Sequence, residues 1–294
     1  MTSLIRQIGI LTFSSSDIDT VANDLQQTIG LRRRACGDNT VQLSSNAREC
    51  EINYVTAKET GVVSIGLEAT DAAAVDEIMQ RLRSEDLEVV RDDSTVPGVE
   101  RSVTFRTGFG PVFEVHTPVA RINGQLHRYN PCRIARLDHC TTRTNDPQGF
   151  HDLVTRMLGL RLSDRTENFS NAWYRGADGY HHLLAAGIGS GLHHYGFAAR
   201  SVIDIADLAD TLAAKGRRLL WGPGRHGAGN NIFSYYRDPL GCIVEVSTSM
   251  EHIDVDDFRE PGIWSDNDKQ DLMDLWGSTA PDGFGTKTLP YVVN

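Results

Sequence analysis

Apolar and polar positions along the chain follow a pattern that occurs twice. Residues 8–31 run as a short apolar strand, a polar turn and a helix with apolar spacing, closing on Gly30-Leu31. Residues 134–160 take the same course and close on Gly159-Leu160. Two-residue alternation marks the strands, and apolar positions three and four apart mark the helices. A second pairing joins VVSIGLEATDAAAVDEIMQRL (62–82) to LHHYGFAARSVIDIADLADTL (192–212). A third joins TGFGPVFEV (107–115) to DPLGCIVEV (238–246) and sets Glu114 opposite Glu245. The three pairings keep their order at offsets of 129, 130 and 131 residues. Loop insertions produce such drift, because loops change length at lower cost than strands do. The pattern predicts two tandem domains, residues 1–130 and 131–250, joined near Asn130-Pro131, with an extension over 251–294.

Each copy reads as two small units of strand, helix and further strands. Alternation in SVTFRT and IFSYY predicts sheets with helices on one face, leaving the other face open for a ligand pocket. The extension carries Asp254, Asp256, Asp257, Glu260, Asp266 and Asp268 ahead of the tail PDGFGTKTLPYVVN. It is expected to wrap over a domain or a neighbouring subunit, with Trp264 and Trp276 as apolar anchors, rather than to form a third core.

Composition narrows the partners. With 39 acidic against 29 basic residues, the net charge is -10 and the pI near 5.4. Such a chain repels nucleic acid and anionic membrane surfaces, so neither is an expected partner. Cys36, Cys50, Cys132, Cys140 and Cys242 form no CxxC pair and read as reduced thiols of a cytoplasmic protein. Arg6 interrupts the first apolar stretch before a signal peptide develops, and no uninterrupted apolar run approaches 18 residues, so neither export nor a membrane span is expected.

Chemistry appears where the copies differ. Ile10 of the first copy corresponds to His139, Ser64 to His194, and Glu114 stays a carboxylate as Glu245. Taken singly, His139 also reads as a strand-end histidine, and Glu245 as an outward residue on an edge strand. Taken together, the three fall at matching strand positions from which one cavity can be reached. Two histidines and a carboxylate with open coordination positions suit non-haem Fe(II), and Mn(II) accepts the same donors; catalytic zinc prefers a tetrahedral site. His193 and His194 are adjacent, so strict alternation admits only one of them to the cavity. More polar groups surround this set: His181-His182 in GYHHLLAA, His226 in GPGRHGAGNN, and Tyr235 ten residues before Glu245. Asp238-Pro239-Leu240-Gly241 is turn chemistry and makes a hairpin of the strands bearing Tyr235 and Glu245. Alternation puts Phe233 and Tyr235 on one face and Tyr236 on the other.

Three motifs carry a family resemblance: LDH at 137–139, YHHLLAAGIGSGLHHYGF at 180–197, and GPGRHGAGNNIFSYYRDPLGCIVE at 222–245. Over roughly residues 5–250 the chain resembles the type I extradiol ring-cleaving dioxygenases of the vicinal oxygen chelate superfamily. The resemblance implies an α+β fold of two tandem vicinal-oxygen-chelate domains, each a barrel-like module of paired βαβββ units. It implies His139, His194 and Glu245 as metal ligands, with Fe(II) ahead of Mn(II), and O2 as co-substrate. His182 falls on the acid–base histidine, and His226 and Tyr235 on two further catalytic positions; Trp173, His181 and Phe233 fall beside the substrate. The implied reaction is extradiol cleavage of a small aromatic diol to a ring-opened semialdehyde acid, in a homo-oligomer. Ser234 stands where the family more often has an apolar residue. The double histidine resembles the biphenyl-diol branch, whereas the GPGRHG loop resembles the homoprotocatechuate branch. Two rival readings are a metal-dependent isomerase, lyase or glyoxalase-like enzyme of the same superfamily and a non-catalytic protein that binds an aromatic ligand.

Overall fold

The computed structural model describes residues 3–94, 96, 98–122, 134–254 and 259–292, with Ala35 and Asp266 described in backbone only. The expected junction at Asn130-Pro131, and Cys132, Asp256 and Asp257, lie outside the described residues. The first repeat contains β1 (Ile5–Ser15), α1 (Ile18–Ile29), β2 (Arg32–Ala35), β3 (Thr40–Ser44) and β4 (Ile52–Thr56). The same order returns in β5 (Gly61–Ala69), α2 (Ala72–Ser84), β6 (Val89–Arg91), β7 (Ser102–Arg106) and β8 (Val112–His116). The second repeat opens with β9 (Ile134–Thr144), α3 (Pro147–Leu158), β10 (Arg161–Thr166), β11 (Asn171–Arg175) and β12 (Leu184–Ile188). It continues with β13 (Gly191–Ala199), α4 (Val202–Ala214), β14 (Trp221–Arg225), β15 (Ile232–Arg237) and β16 (Ile243–Thr248). These are four βαβββ units in tandem pairs, at the spacing the sequence pattern implies.

One sheet has the strand order β2-β3-β4-β1-β5-β8-β7-β6. The other runs β14-β15-β16-β13-β9-β12-β11-β10, with β17 (Gly262–Trp264) of the extension added beside β10. In both sheets the first strands of the two units pair antiparallel, and each first strand pairs parallel with the last strand of its own unit. Among the described residues no pairing closes either sheet into a barrel.

Local sequence explains the matching helices. Asp17 caps α1 by accepting from the Thr20 N–H, and Asp146 caps α3 by accepting from the Gly149 N–H. Each cap satisfies an N–H that the first helical turn would leave without a partner. Gly30 and Gly159 end these helices in the left-handed conformation, where a Cβ would be strained. The buried faces of all four helices join a single apolar core that runs through both repeats; Phe13 of the first packs on Tyr195 of the second at 5.3 Å.

The concave faces differ. In the first repeat Ile10, Cys50, Val96 and Val119 fill the hollow. Glu114 is occupied there by Ser94 Oγ at 2.9 Å and faces Arg91 at 3.8 Å. The first repeat also clasps β9: buried Glu51, paired with Arg48 at 2.6 Å, accepts from the Leu137 N–H, and Asn46 donates to the Ala135 carbonyl. In the second repeat the hollow stays open, and the extension folds along it. Its buried apolar side chains are Ile253, Leu272, Phe284 and Leu289, and Val292, which ends against Val62 of the first repeat. Trp264 is half-buried, whereas Trp276 is 55% exposed beside Arg225 and is not an anchor; an indole at the surface with a cation alongside contributes little apolar burial.

Candidate metal centre

Neighbouring strands of the second repeat bring side chains into line. Gly196 of β13 stands opposite His139 of β9 on one side and Glu245 of β16 on the other, and Glu245 stands opposite Tyr235 of β15. Residues directly opposite one another share a face, so His139, Glu245 and Tyr235 all project into the hollow. His194 lies two residues from Gly196 on the same face. Gly196 provides the room: a Cβ there would fall 2.7 Å from His139 Nε2 and 2.8 Å from its Nδ1.

The result is a tight cluster in which one donor atom each from His139, His194 and Glu245 lies within 4.8 Å of the others, and all three residues are buried. His139 Nε2 is 3.1 Å, and His194 Nε2 3.3 Å, from Glu245 Oε2. Asn231 holds the other Glu245 oxygen at 3.0 Å. The donor set fits a divalent cation such as Fe(II) or Mn(II): two imidazoles and one carboxylate that, among the described residues, meets no arginine or lysine. Electrostatics point the same way. Burial opposes charge on His139, yet Glu245 and Asp138 raise it to about 10. Burial would raise Glu245, but the charge and hydrogen bond of His139 hold it well below the usual carboxylate range. The cluster therefore gathers positive charge at the point where three ligand atoms converge, the place a metal would take.

The partners of each imidazole settle its tautomer. Asp138 Oδ2 lies 3.1 Å from His139 Nδ1 and takes that N–H, so Nε2, whose proton Glu245 now shares, is the nitrogen that a displacing metal would take. A carboxylate behind a ligand histidine orients it and increases its basicity. A bulge between Leu137 and His139 in β9 lets consecutive residues share this corner. His193 Nε2 lies 2.7 Å from the Phe284 carbonyl and must donate to it, so its Nδ1 accepts from His194 Nδ1 at 2.6 Å. His194 then presents Nε2 unprotonated. The other double histidine is built alike. His181 Nε2 faces Asp164 at 3.4 Å and Glu251 at 4.0 Å, both acceptors, and its Nδ1 meets His182 Nδ1 at 2.9 Å. Although burial opposes it, the charge and N–H of His181 and the indole of Trp264 hold Asp164 at about 2, fully ionised.

A cavity of about 870 Å³ opens over the cluster. Trp173, His182, His194, His226, Tyr235 and Glu245 line it, with His193 as well. His182 stacks near His139, ring centres 4.6 Å apart. His226 donates from Nδ1 to the Met273 carbonyl at 2.6 Å, and its Nε2 lies 2.9 Å from the Tyr235 hydroxyl. Burial, then repulsion by His139 and His181, drives the His182 pKa well below its ordinary value. Burial likewise lowers His226 and raises Tyr235.

Two residues expected beside a substrate are not on the cavity wall. His181 is fully buried behind His182, and Phe233 is fully buried beneath His226, stacked at 4.0 Å. Strict alternation also misplaces His193. A bulge between Leu192 and His194 adds a residue to β13, so both histidines reach the cavity side. Sequence reasoning missed Asp138, although it sits inside LDH, and it missed Gly196, Asn231 and the carbonyls of Met273 and Phe284. A glycine in mid-strand was the available signal for Gly196; nothing in the sequence marks a carbonyl.

Comparison with known proteins follows this geometry. The glyoxalase/bleomycin resistance protein/dioxygenase superfamily profile matches residues 136–246, nearly all of the second repeat. Metapyrocatechase 2 of Cupriavidus necator is 34% identical over 174 residues, 58% of this chain and 52% of that protein, so the match spans about half of that relative's length. Biphenyl-2,3-diol 1,2-dioxygenase of Paraburkholderia xenovorans is 23% identical over 294 residues, covering 91% of this chain and 97% of that one. The crystal structure of homoprotocatechuate 2,3-dioxygenase from Arthrobacter globiformis superposes with a TM-score of 0.87 at 21% identity, covering 100% of this chain and 94% of that one.

Proposed function

We propose, from the family-level match of this chain to the extradiol ring-cleaving dioxygenases of the vicinal oxygen chelate superfamily, that it cleaves an aromatic vicinal diol with O2. The ring opens beside the diol, and both oxygen atoms enter the product. One observation carries this reading: the buried cluster of His139, His194 and Glu245 with the His182 ring 4.6 Å from His139, at the floor of a cavity large enough for an aromatic ring.

A bound Fe(II) or Mn(II) held by His139 Nε2, His194 Nε2 and a Glu245 oxygen would supply Lewis acidity toward the diol and the one-electron chemistry that ground-state O2 needs. The chain's own groups do the rest. His182 is neutral, and its Nδ1 is engaged with His181 Nδ1 at 2.9 Å, so its Nε2 is the nitrogen left to accept a proton from a diol hydroxyl. Once protonated, it keeps its bond to His181 and can return the proton to a departing oxygen. Tyr235 donates its hydroxyl to His226 Nε2, and the pair faces the diol as one hydrogen-bonded unit with oxygen lone pairs to offer. Trp173 with Ala185 and Ala186 forms an apolar wall for the ring. Cys36, Cys50, Cys140 and Cys242 are free thiols, which fits a reducing cytoplasm.

The test is anaerobic reconstitution with Fe(II) or Mn(II), then oxygen uptake against a panel of catechols, watching for the yellow ring-fission product. Consumption of O2 matched to ring-opened product supports the reading. A metal-loaded protein that turns over no diol overturns it and returns the isomerase-like and ligand-binding readings to contention.

A further inference from the structure

Beyond the metal cluster, strand β9 continues along the same cavity wall: His139, Thr141 and Arg143 alternate onto one face. Thr141 Oγ1 is 3.1 Å from His194 Nε2, and Arg143 lines the cavity further out. Four residues of strand at about 3.3 Å each set the Arg143 Cα about 13 Å from that of His139. Arg143 thus enters the cavity wall beyond the metal cluster, on the side where a substituent of a bound ring would lie.

Arg143 is a cation short of partners. Nη1 makes one long hydrogen bond, 3.4 Å to Asn171 Oδ1, and Nε is buried with no acceptor. Among the described residues no carboxylate lies within ion-pair distance. Burial alone acts on its pKa, lowering it, with no neighbouring charge to offset the cost. The contrast with Arg48 is direct: that buried arginine has Glu51 at 2.6 Å, Glu68 at 3.8 Å and the Ile8 carbonyl at 3.3 Å. Arg143 is half-buried with its Nε fully so, and a cation held back from water ordinarily has a partner. Arg143 is also held in place. Its guanidinium lies against Gly187, where a Cβ would overlap it, and Nη2 passes 3.9 Å from the Cβ position of Gly285. The other charged groups on the cavity wall besides Glu245 are Lys269 and Asp282, both exposed.

We infer that Arg143 binds an anionic substituent, a carboxylate on a side arm of the aromatic diol, and so sets the substrate class of this cavity. The inference rests on the ring-cleavage reading and adds to it the chemistry of the ring's far end. A guanidinium offers a planar fork that matches a carboxylate bidentately, which a lysine does not.

The experiment compares two diols of equal length, one ending in a carboxylic acid and one in its primary amide. The metal-loaded wild type should favour the acid by about 10–10²-fold in kcat/KM, the range of a hydrogen bond to a charged group. Arg143→Gln should bring the acid-to-amide ratio close to one, and Arg143→Lys should retain part of it. Wild-type protein that handles acid and amide alike overturns the inference, and so does Arg143→Gln that keeps the wild-type ratio. If no diol is turned over, the ring-cleavage reading has failed, and anaerobic calorimetric titration with the same pair decides the inference separately. Tighter binding of the acid, lost in Arg143→Gln, upholds it; equal binding of the two overturns it. Should both variants unfold, the wild-type comparison alone gives the answer.

Discussion

Replacing Gly196 by alanine adds a single methyl group at the point where three strands present the metal ligands. The new Cβ would sit 2.7 Å from His139 Nε2 and 2.8 Å from Nδ1, against about 3.5–4.0 Å for an ordinary contact. The imidazole must retreat by about 1 Å, or the strand must move by as much. Metal–ligand distances hold to about ±0.2 Å, so a ring displaced that far is no longer a ligand. Metal affinity should fall by about 100-fold or more, and turnover at saturating metal by a similar factor, since a 1 Å misplacement costs about 10²-fold. Overpacking should also destabilise the metal-free protein by about 1–3 kcal/mol. Competition with a chelator of known affinity reads the first quantity, oxygen uptake the second and denaturant unfolding the third. The double variant Gly196→Ala/His139→Ala supplies the control: with the ring gone, the methyl group has space, and its share of the stability loss should vanish. Wild-type metal affinity in Gly196→Ala, or the same methyl cost with and without His139, would refute the reasoning.

The ligand assignment makes an asymmetric prediction: His139→Ala, His194→Ala and Glu245→Ala should each lose most of the bound metal, measured by plasma emission spectrometry, whereas Glu114→Ala should keep it. His182→Phe should retain metal and bind diol, yet lose about 10²–10⁴-fold in kcat. His181→Phe leaves the His182 Nδ1–H without its acceptor, a cost of about 1–3 kcal/mol, and should lower kcat by about 10–10²-fold with metal content and the KM for diol held; an unchanged kcat would show that His181 only fills space. A monophenol matched in size to a good diol should not be turned over, because it offers one oxygen where the site is built for two, and comparable oxygen uptake with both would count against chelation.

Repeat periodicity made much of the architecture legible. The strands and helices of the two copies recur at the offsets found in the sequence, because apolar spacing, aspartate caps and terminal glycines fix each element locally. The metal cluster was legible for a second reason: a repeat supplies its own control, and His139 and His194 stood out against Ile10 and Ser64 beside Glu245, the carboxylate that both copies keep. What stayed hidden depends on register. Two of the three register shifts in the β9–β13 pair, at Asp138 and at His193, break the alternation on which face assignments at the site rest, and nothing in the residue types announces them. Phe233 shares a face with Tyr235 as expected, but His226 lies over it, so sharing a face did not mean reaching the cavity.

The extension has a chemical part in the site that its acidic, glycine-containing sequence did not suggest. Neutral histidine has one donor and one acceptor, so fixing either nitrogen fixes the other. His193 is fixed by the Phe284 carbonyl, and through it His194 is set with Nε2 bare. His226 is fixed by the Met273 carbonyl, with Nε2 turned to Tyr235. His181 Nε2 faces Asp164 at 3.4 Å, and Asp164 is itself held by Arg259 at 2.9 Å, the Gly262 N–H at 3.1 Å and Trp264 Nε1 at 3.0 Å. Phe284, Met273, Arg259, Gly262 and Trp264 all belong to the extension. The second repeat therefore supplies the imidazoles; Asp138 of β9 orients His139, while carbonyls of the extension orient His226 and, through His193, His194. Among the described residues no such strap crosses the hollow of the first repeat, which its own apolar side chains fill. Duplication accounts for two hollows of the same build; metal chemistry needs one that is left open and wired from behind.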